Sequence, residues 1–270
     1  MTDPAIVDFD ADARFRALLQ QVMPKTYDWE NRYVDHEMSR IRHVFQPTLC
    51  QIEGRQVLEF GCNIGATSIV LAHLGGRTTA CDISDQFLML AKLNARRYGS
   101  LPLIRFVRLQ EGASLPFCDA SFDVVTCNSV LEYVRREHLA PLQRELNRIL
   151  RPGGEIVVFG TSNRLWPIEA HSQRWWVNYI PDSFDRMLGS AMQRGVWPWK
   201  IRHGFGRYED VLGQAGAREY LNARNAARSS SSQRTALKIL AHAASSARIS
   251  PGLLTPYILA VLRKPPAQSP

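Results

Sequence analysis

Four side chains in this sequence stand where they could do chemistry. Glu59 lies in the apolar run Val57-Leu58-Glu59-Phe60, two residues before a glycine, and Asp82 closes Thr78-Thr79-Ala80-Cys81. Glu169 and His171 are two residues apart in Asn163-Arg164-Leu165-Trp166-Pro167-Ile168-Glu169-Ala170-His171. An imidazole titrates in the range useful for taking a proton from a hydroxyl, so His171 is a candidate general base with an acid beside it. A plainer role for this pair is to bond the backbone of their own segment. An acid at a strand tip suits a cation or a sugar: both carboxylate oxygens accept, which an amide cannot match because half of it donates.

The elements that must hold these groups follow from the pattern. Val57 to Phe60 breaks into Gly61-Cys62-Asn63-Ile64-Gly65 and resumes as Ile69-Val70-Leu71-Ala72, which reads as a buried strand, a tight turn and a helix. Gly61 and Gly65 permit the close approach a ligand needs, and Asn63 is the residue type next most tolerant of positive φ. A dinucleotide would set its pyrophosphate over this turn, where Glu59 would repel it at a few ångströms. S-adenosyl-L-methionine instead brings an ammonium and a sulfonium, which Glu59 attracts. The bland alternative is a solvated strand-end acid on another nucleotide-binding fold. Asp82 arrives about 20 residues after the turn, where such folds place the acid that grips a ribose. Ile83 is then positioned against an adenine face.

Ahead of this unit, residues 11–53 read as helices, with Phe15, Leu18, Leu19 and Val22 and then Met38, Ile41 and Phe45 at helical spacing. Beyond it come a helix from Phe87 to Leu93, a third strand at residues 104–108 and a loop that can put Glu111 or the adjacent main chain against an adenine amino group. The apolar Val124-Val125-Thr126-Cys127 is a central strand, and Asn128 leaves it at the carboxyl edge where open α/β sheets bind ligands. A leucine-rich helix stops at Arg151-Pro152-Gly153-Gly154, before a fifth strand at 155–160. Residues 161–206 then interrupt the pattern with prolines and aromatics, as a substrate-capping insertion would. Residues 207–216 read as a helix before a sixth strand near 217–223, residues 229–247 as a serine run and a basic amphipathic helix, and 256–263 as the last strand.

Residues 57–160 resemble a class I S-adenosylmethionine-dependent methyltransferase of the small-molecule group that includes the quinone-biosynthesis enzymes. The matches are Glu59-x-Gly61-Cys62-Asn63-x-Gly65, Asp82, Leu115-Pro116-Phe117 through Ser121-Phe122-Asp123, Val130-Leu131-Glu132-Tyr133 and Leu150-Arg151-Pro152-Gly153-Gly154. The resemblance implies an α/β, Rossmann-like seven-stranded sheet, mostly parallel with its last strand antiparallel, helices on both faces and an inserted lid after strand five. It assigns cofactor contacts to Glu59, Gly61, Cys62, Asn63, Gly65, Asp82, Ile83, Glu111, Gly112 and Asn128. Asn63 replaces a frequent glycine, and Tyr133 stands where many relatives have a histidine, which moves the search for a base to His171. The wording of residues 163–171 also resembles, more weakly, methyltransferases found with glycan and glycolipid assembly systems. The expected division is 1–53 helical, 54–160 cofactor core, 161–206 cap, 207–264 the rest of the sheet with a basic helix, and 265–270 tail.

Composition bounds the partners. With 270 residues, 45% hydrophobic and 21% charged, the chain has the make-up of a globular protein. Its five cysteines are scattered without a Cys-x-x-Cys pair, which points to a reducing compartment, no disulfide framework and no metal site. No leader or spanning run is visible, so a cytoplasmic protein is expected, with peripheral membrane contact open. The net charge of +8 divides into −1 over residues 1–160 and +9 over residues 161–270. An anionic or lipid-linked small-molecule acceptor, a nucleic acid, an acidic membrane surface or a merely solvated basic face would each account for it. The lack of an Asn/Asp-Pro-Pro-Tyr/Phe sequence after the fourth strand argues against a nucleic-acid methyltransferase. The leading expectation is O-methylation of a hydroxyl on a glycan-, lipid- or polyketide-like acceptor. An RNA methyltransferase and a non-catalytic S-adenosylmethionine-binding partner are the alternatives.

Overall fold

The structure is a computed structural model and describes residues 3–112, 114–181, 183–188, 194–224, 230–247 and 249–267. The continuous apolar runs become strands, because a strand covered on both faces must be apolar at nearly every position. In chain order these are β1 (Gln56–Phe60), β2 (Arg77–Asp82), β3 (Ile104–Arg108), β4 (Phe122–Asn128), β5 (Leu150–Ser162), β6 (Glu209–Asp210) and β7 (Tyr257–Arg263). They form one open sheet in the order β3-β2-β1-β4-β5-β7-β6. Every pairing is parallel except those of β7 with β5 and with β6. The chain moves outward from β1 to β3 and then returns to the other side of β1 as β4. The crevice beyond the carboxyl ends of β1 and β4 is therefore the switch point at which such sheets bind ligands.

Ten helices surround the sheet among the described residues: α1 (Phe9–Val22), α2 (Tyr27–Asn31), α3 (Tyr33–Ile41), α4 (Ala66–His73), α5 (Asp85–Arg97), α6 (Arg136–Ile149), α7 (Ser183–Leu188), α8 (Pro198–Gly204), α9 (Val211–Ala223) and α10 (Ser231–Ser246). Successive strand residues point to opposite faces. Val57, Val124, Val157 and Val261 accordingly pack with Ile69 of α4, Leu212 of α9 and Ala241 of α10. Their neighbours Leu58, Val125, Ile156 and Leu262 pack on the other side with Leu146 of α6 and Ile201 of α8. Helix α1 lays Phe15 and Leu19 against Leu90 of α5. It is held there by Arg97, which meets Asp12 at 2.6 Å and stacks over Phe15 at 4.3 Å.

The sixth strand is not where the sequence suggests. Residues 217–223 belong to α9, and β6 is the short Glu209–Asp210, on the far side of β7. Asp210 ends the strand by accepting a hydrogen bond from the Gly213 amide at 2.8 Å, which starts the helix. The helix then continues through a kink at Gly216 (φ 86°), and the alanines read as a strand turn Ala217 and Ala223 into the core beside Tyr220. The basic helix after the serines is α10, started by a capping box between Ser230 and Gln233. Of the basic residues past Glu219, Arg228 and Arg248 lie outside the described residues, as do positions 182 and 189–193 of the insertion and 268–270 of the tail.

The insertion is tied down rather than loose. Asn163 donates to the carbonyls of Leu253 and Thr255, both at 2.8 Å, and Trp166 Nε1 donates to Leu254 O at 2.9 Å. Residues 194–196 return beside the end of β5: Val196 N donates to Ser162 O and Arg164 N to Val196 O, at 2.8 and 3.0 Å. Gly195 makes this possible, since a Cβ there would lie 2.6 Å from Ser162 O and 2.7 Å from Arg164 N, both backbone atoms that cannot yield. Gly195→Ala is expected to lower stability by about 1–3 kcal/mol, seen as a drop of several degrees in Tm with faster proteolysis inside residues 161–206; an unchanged Tm would count against this anchoring.

Candidate active site

The turn after β1 is built by Asp82 as much as by its glycines. Asp82 Oδ2 accepts from the Asn63 amide and Oδ1 from the Ser84 amide, each at 2.9 Å. The amides of Gly61 and Cys62 both donate to Cys81 O at 2.9 Å. The chain between them takes positive φ at Gly61 (75°), Asn63 (48°) and Gly65 (75°), with Gly65 in the left-handed conformation at the start of α4. Asn63 thus does occupy the conformation for which a glycine was the expected letter. Each Asp82 oxygen retains acceptor capacity for a ligand hydroxyl.

Glu59 is 2% exposed, bonded to the Ser68 hydroxyl of α4. Burial pushes its pKa up to about 8; the Glu37 and Asp82 carboxylates add to this, and the hydroxyls of Ser68 and Thr67 oppose it. In the ligand-free protein it therefore keeps its proton near neutral pH and carries no charge. Cys62 is buried at 3%, and burial followed by Glu59 raises its thiol pKa. Ile83 stands 48% exposed, free to meet a flat apolar ligand. Glu111 is at the surface, paired with Arg135 at 3.0 Å, while a Cβ on Gly112 would approach the His138 ring at 3.3 Å.

Asn128 is taken up by the fold. Its Oδ1 accepts from Arg40 at 2.7 Å, and its Nδ2 donates to Glu37 Oε2 at 2.9 Å and Thr67 Oγ1 at 2.8 Å. Glu37, wholly buried, also accepts from Thr67 at 3.1 Å and pairs with Arg40 at 2.6 Å. Sequence reasoning missed both α3 residues. The available signal was a charge pair three apart on the face carrying Val34, Met38 and Ile41.

Among the described residues this region suits S-adenosylmethionine on its own observations. Burial keeps the proton on Glu59, with the Glu37 and Asp82 carboxylates adding to the effect, so positive charge arriving beside it would favour its ionised form. The Asn63 Oδ1 atom is buried with no hydrogen-bond partner, and Asp82 keeps lone pairs beside it. A ligand carrying an ammonium, a sulfonium and ribose hydroxyls complements that set.

His171 lies near the ends of β4 and β5. Its Nε2 is 2.8 Å from Glu132 Oε1, which also accepts from the amide of Ser162 at 3.3 Å. Tyr133 and Tyr257 flank the ring at 6.2 and 5.7 Å. Burial favours the neutral ring, but the Glu132 carboxylate and then Glu169 outweigh it and hold the pKa above 6.5. Glu169 itself is wholly buried and accepts from the amides of His171 and Ser172, the latter at 2.6 Å. Burial opposes its ionisation, yet those amides hold the carboxyl below the usual range. Glu169 therefore shapes the turn that carries His171, and Glu132 is the acid on its ring. Glu132 was quoted in a motif without being assigned a role; an imidazole needing an acceptor for its ring N–H was the clue.

Residues 58–158, which hold the glycine turn and the strands from β1 into β5, match the sequence family described as Methyltransferase domain. The chain is 30% identical over 162 residues to a ubiquinone biosynthesis O-methyltransferase from Albidiferax ferrireducens, covering 60% of this chain and 63% of that protein. A similar protein from Paracidovorax citrulli is 31% identical, with 61% of its length covered, so the chain spans under two thirds of these relatives. Demethylmenaquinone methyltransferase from Staphylococcus aureus is 25% identical over 208 residues, 76% of this chain and 84% of that one. The fold is shared with the solved MccD protein (TM-score 0.52, 15% identity, 85% of this chain and 96% of that chain). It is shared too with a methyltransferase from Methanosarcina mazei (TM-score 0.50, 16% identity, 80% and 94%).

The buried acid makes a pH test. Glu59 has a folded pKa of about 8, whereas the unfolded chain releases that proton near about 4.3. The stability it contributes is full below the unfolded value and is lost as pH rises through the folded one. Ligand-free protein should lose Tm steadily between about pH 5 and pH 8, and Glu59→Gln should flatten that slope; equal slopes would refute the assignment.

Proposed function

We propose that the protein is an S-adenosylmethionine-dependent methyltransferase of a small molecule, transferring the methyl group to a hydroxyl oxygen. The observation that carries this reading is the Glu132–His171 contact of 2.8 Å at the ends of β4 and β5. With Nε2–H donated to Glu132, Nδ1 is left as the proton acceptor, so the acid sets the tautomer a base requires. Glu169 holds the turn through the His171 amide, and the Tyr133 and Tyr257 rings stand on either side of the imidazole.

When bound, the cofactor supplies an electrophilic methyl group on a sulfonium. The turn at residues 61–65 would carry it, with Asp82 accepting from ribose hydroxyls, Ile83 against the adenine and Glu111 with Gly112 near the adenine amino group. Asn128 serves that cradle through α3 and α4. The remaining task is alignment of two reactants, which a fixed wall accomplishes by removing their freedom to misalign. The relatives named for ubiquinone and demethylmenaquinone support a small acceptor, and quinol-like rings join the lipid, glycan and polyketide classes to be tried. Exposed Trp175, Trp176 and Tyr179 of the insertion suit an apolar or ring-bearing portion of it.

Purified protein, labelled cofactor and a panel of such acceptors provide the test. Asp82→Ala is expected to abolish cofactor binding by calorimetry. His171→Ala should keep cofactor affinity and lower kcat by about 10²–10⁴-fold; full activity would end the base assignment. In the unaltered enzyme, kcat should rise with pH through a value above 6.5 as the imidazole loses its proton. Glu132→Gln should move that limb to lower pH while slowing turnover, and an unmoved limb would remove Glu132 from the mechanism.

A further inference from the structure

Next to the Glu132–His171 pair the chain forms an open cavity of about 210 Å³. Helix α6 and the turn before it form one wall, and the insertion forms the other. Among the described residues the charged lining is Arg136, Arg164, Arg194 and Lys200 against Glu132 and Asp185, an excess of two cations. Asp185 is held by Arg194 through both oxygens, at 2.6 and 2.8 Å, and the Glu132 charge is shared with His171.

The two inner guanidinium groups are fixed before any ligand arrives. Arg164 and Arg194 are each 7% exposed. Arg164 Nε donates to Asn178 O at 2.6 Å, and its guanidinium lies 5.4 Å over the Trp197 ring. Arg194 Nε donates to Ile180 O at 2.9 Å. Arg136 and Lys200 stand exposed at the rim. Arg136 is also the first residue of α6, whose N-cap, Arg135, provides no side-chain bond, so the positive end of a fourteen-residue helix adds to the field. The Arg194 charge is met by Asp185; the Arg164 and Arg136 guanidinium groups, a lysine and a helix start in one concavity favour an oxyanion.

We propose that this cavity binds a phosphate or carboxylate group carried by the methyl acceptor, and that this contact brings the acceptor's hydroxyl to His171. The assignment rests on the methyl-transfer reading. It also shifts anion recognition from the basic residues after Glu219 to the wall between α6 and the insertion. The acceptor class becomes an anionic one, a hydroxylated molecule bearing a phosphate or carboxylate a short distance from the oxygen that is methylated.

The test uses the full chain. Inorganic phosphate and acetate, each titrated against chloride at constant ionic strength, are followed by the rise in Tm that a ligand of the folded state produces. A saturable rise with either anion is expected, the preferred one telling phosphate from carboxylate. Arg136→Ala/Lys200→Ala should weaken that anion about tenfold, whereas Arg77→Ala/Lys92→Ala, which removes equal charge from β2 and α5, should not. No saturable rise, or equal loss in both double variants, would overturn the proposal. S-adenosylmethionine binding is measured on the same samples by calorimetry and should be the same in all three. Its absence from the unaltered protein, with the anion contrast intact, would sink the methyl-transfer reading and leave the anion site standing.

Discussion

The Glu37 carboxylate, wholly buried, is the contact on which the arrangement of the binding edge depends. Its partners come from three elements: Arg40 of its own helix, Thr67 at the start of α4 and Asn128 at the end of β4. A buried carboxylate without such partners costs several kcal/mol, so those three elements must meet together or not at all. Helix α3 is thereby fixed over the carboxyl ends of the central strands. The same closeness places Gly160 where a Cβ would meet Asn128 Oδ1 at 2.6 Å. The glycine near the end of β5 is thus required by a polar network that begins in the N-terminal helices.

The acids of this edge divide their tasks by burial. Asp82 organises the glycine turn with one lone pair on each oxygen and keeps the rest toward the crevice. Glu59, one strand over, is closed behind α4, and burial keeps its proton on. Glu169 is ionised in a cage of amides, whereas Glu132 is placed against an imidazole. Similar carboxyl groups thus stand as turn scaffold, neutral buried acid and imidazole partner, according to burial and the donors each one meets.

The central strands were legible because burial on both faces leaves apolar runs that only turns interrupt, and the glycine turn because few residue types accept its angles. The sixth strand was illegible for the converse reason. Glu209 and Asp210 carry no apolar signal, and their membership in the sheet comes from pairing with Arg263 and Leu262. The alanines of α9 alternate well enough to imitate a strand until Asp210 caps the helix. At the candidate site, an imidazole draws notice by its residue type alone. Glu132 and Arg40 do not, since what they do depends on partners 39 and 88 positions away.

The segment that carries His171 is moored at one end to the residues leading into β7, through Asn163 and Trp166, and later by the Tyr257 hydroxyl on Ala170 O at 2.9 Å. None of those moorings touches the turn at residues 61–65 or the acid at 82. The half of the crevice that would hold the donor and the half that would choose the acceptor are thus anchored separately. Through descent, the wall that residues 164, 185 and 194–200 help to form can change its lining, and with it the molecule that would be modified, while the donor cradle stays as it is.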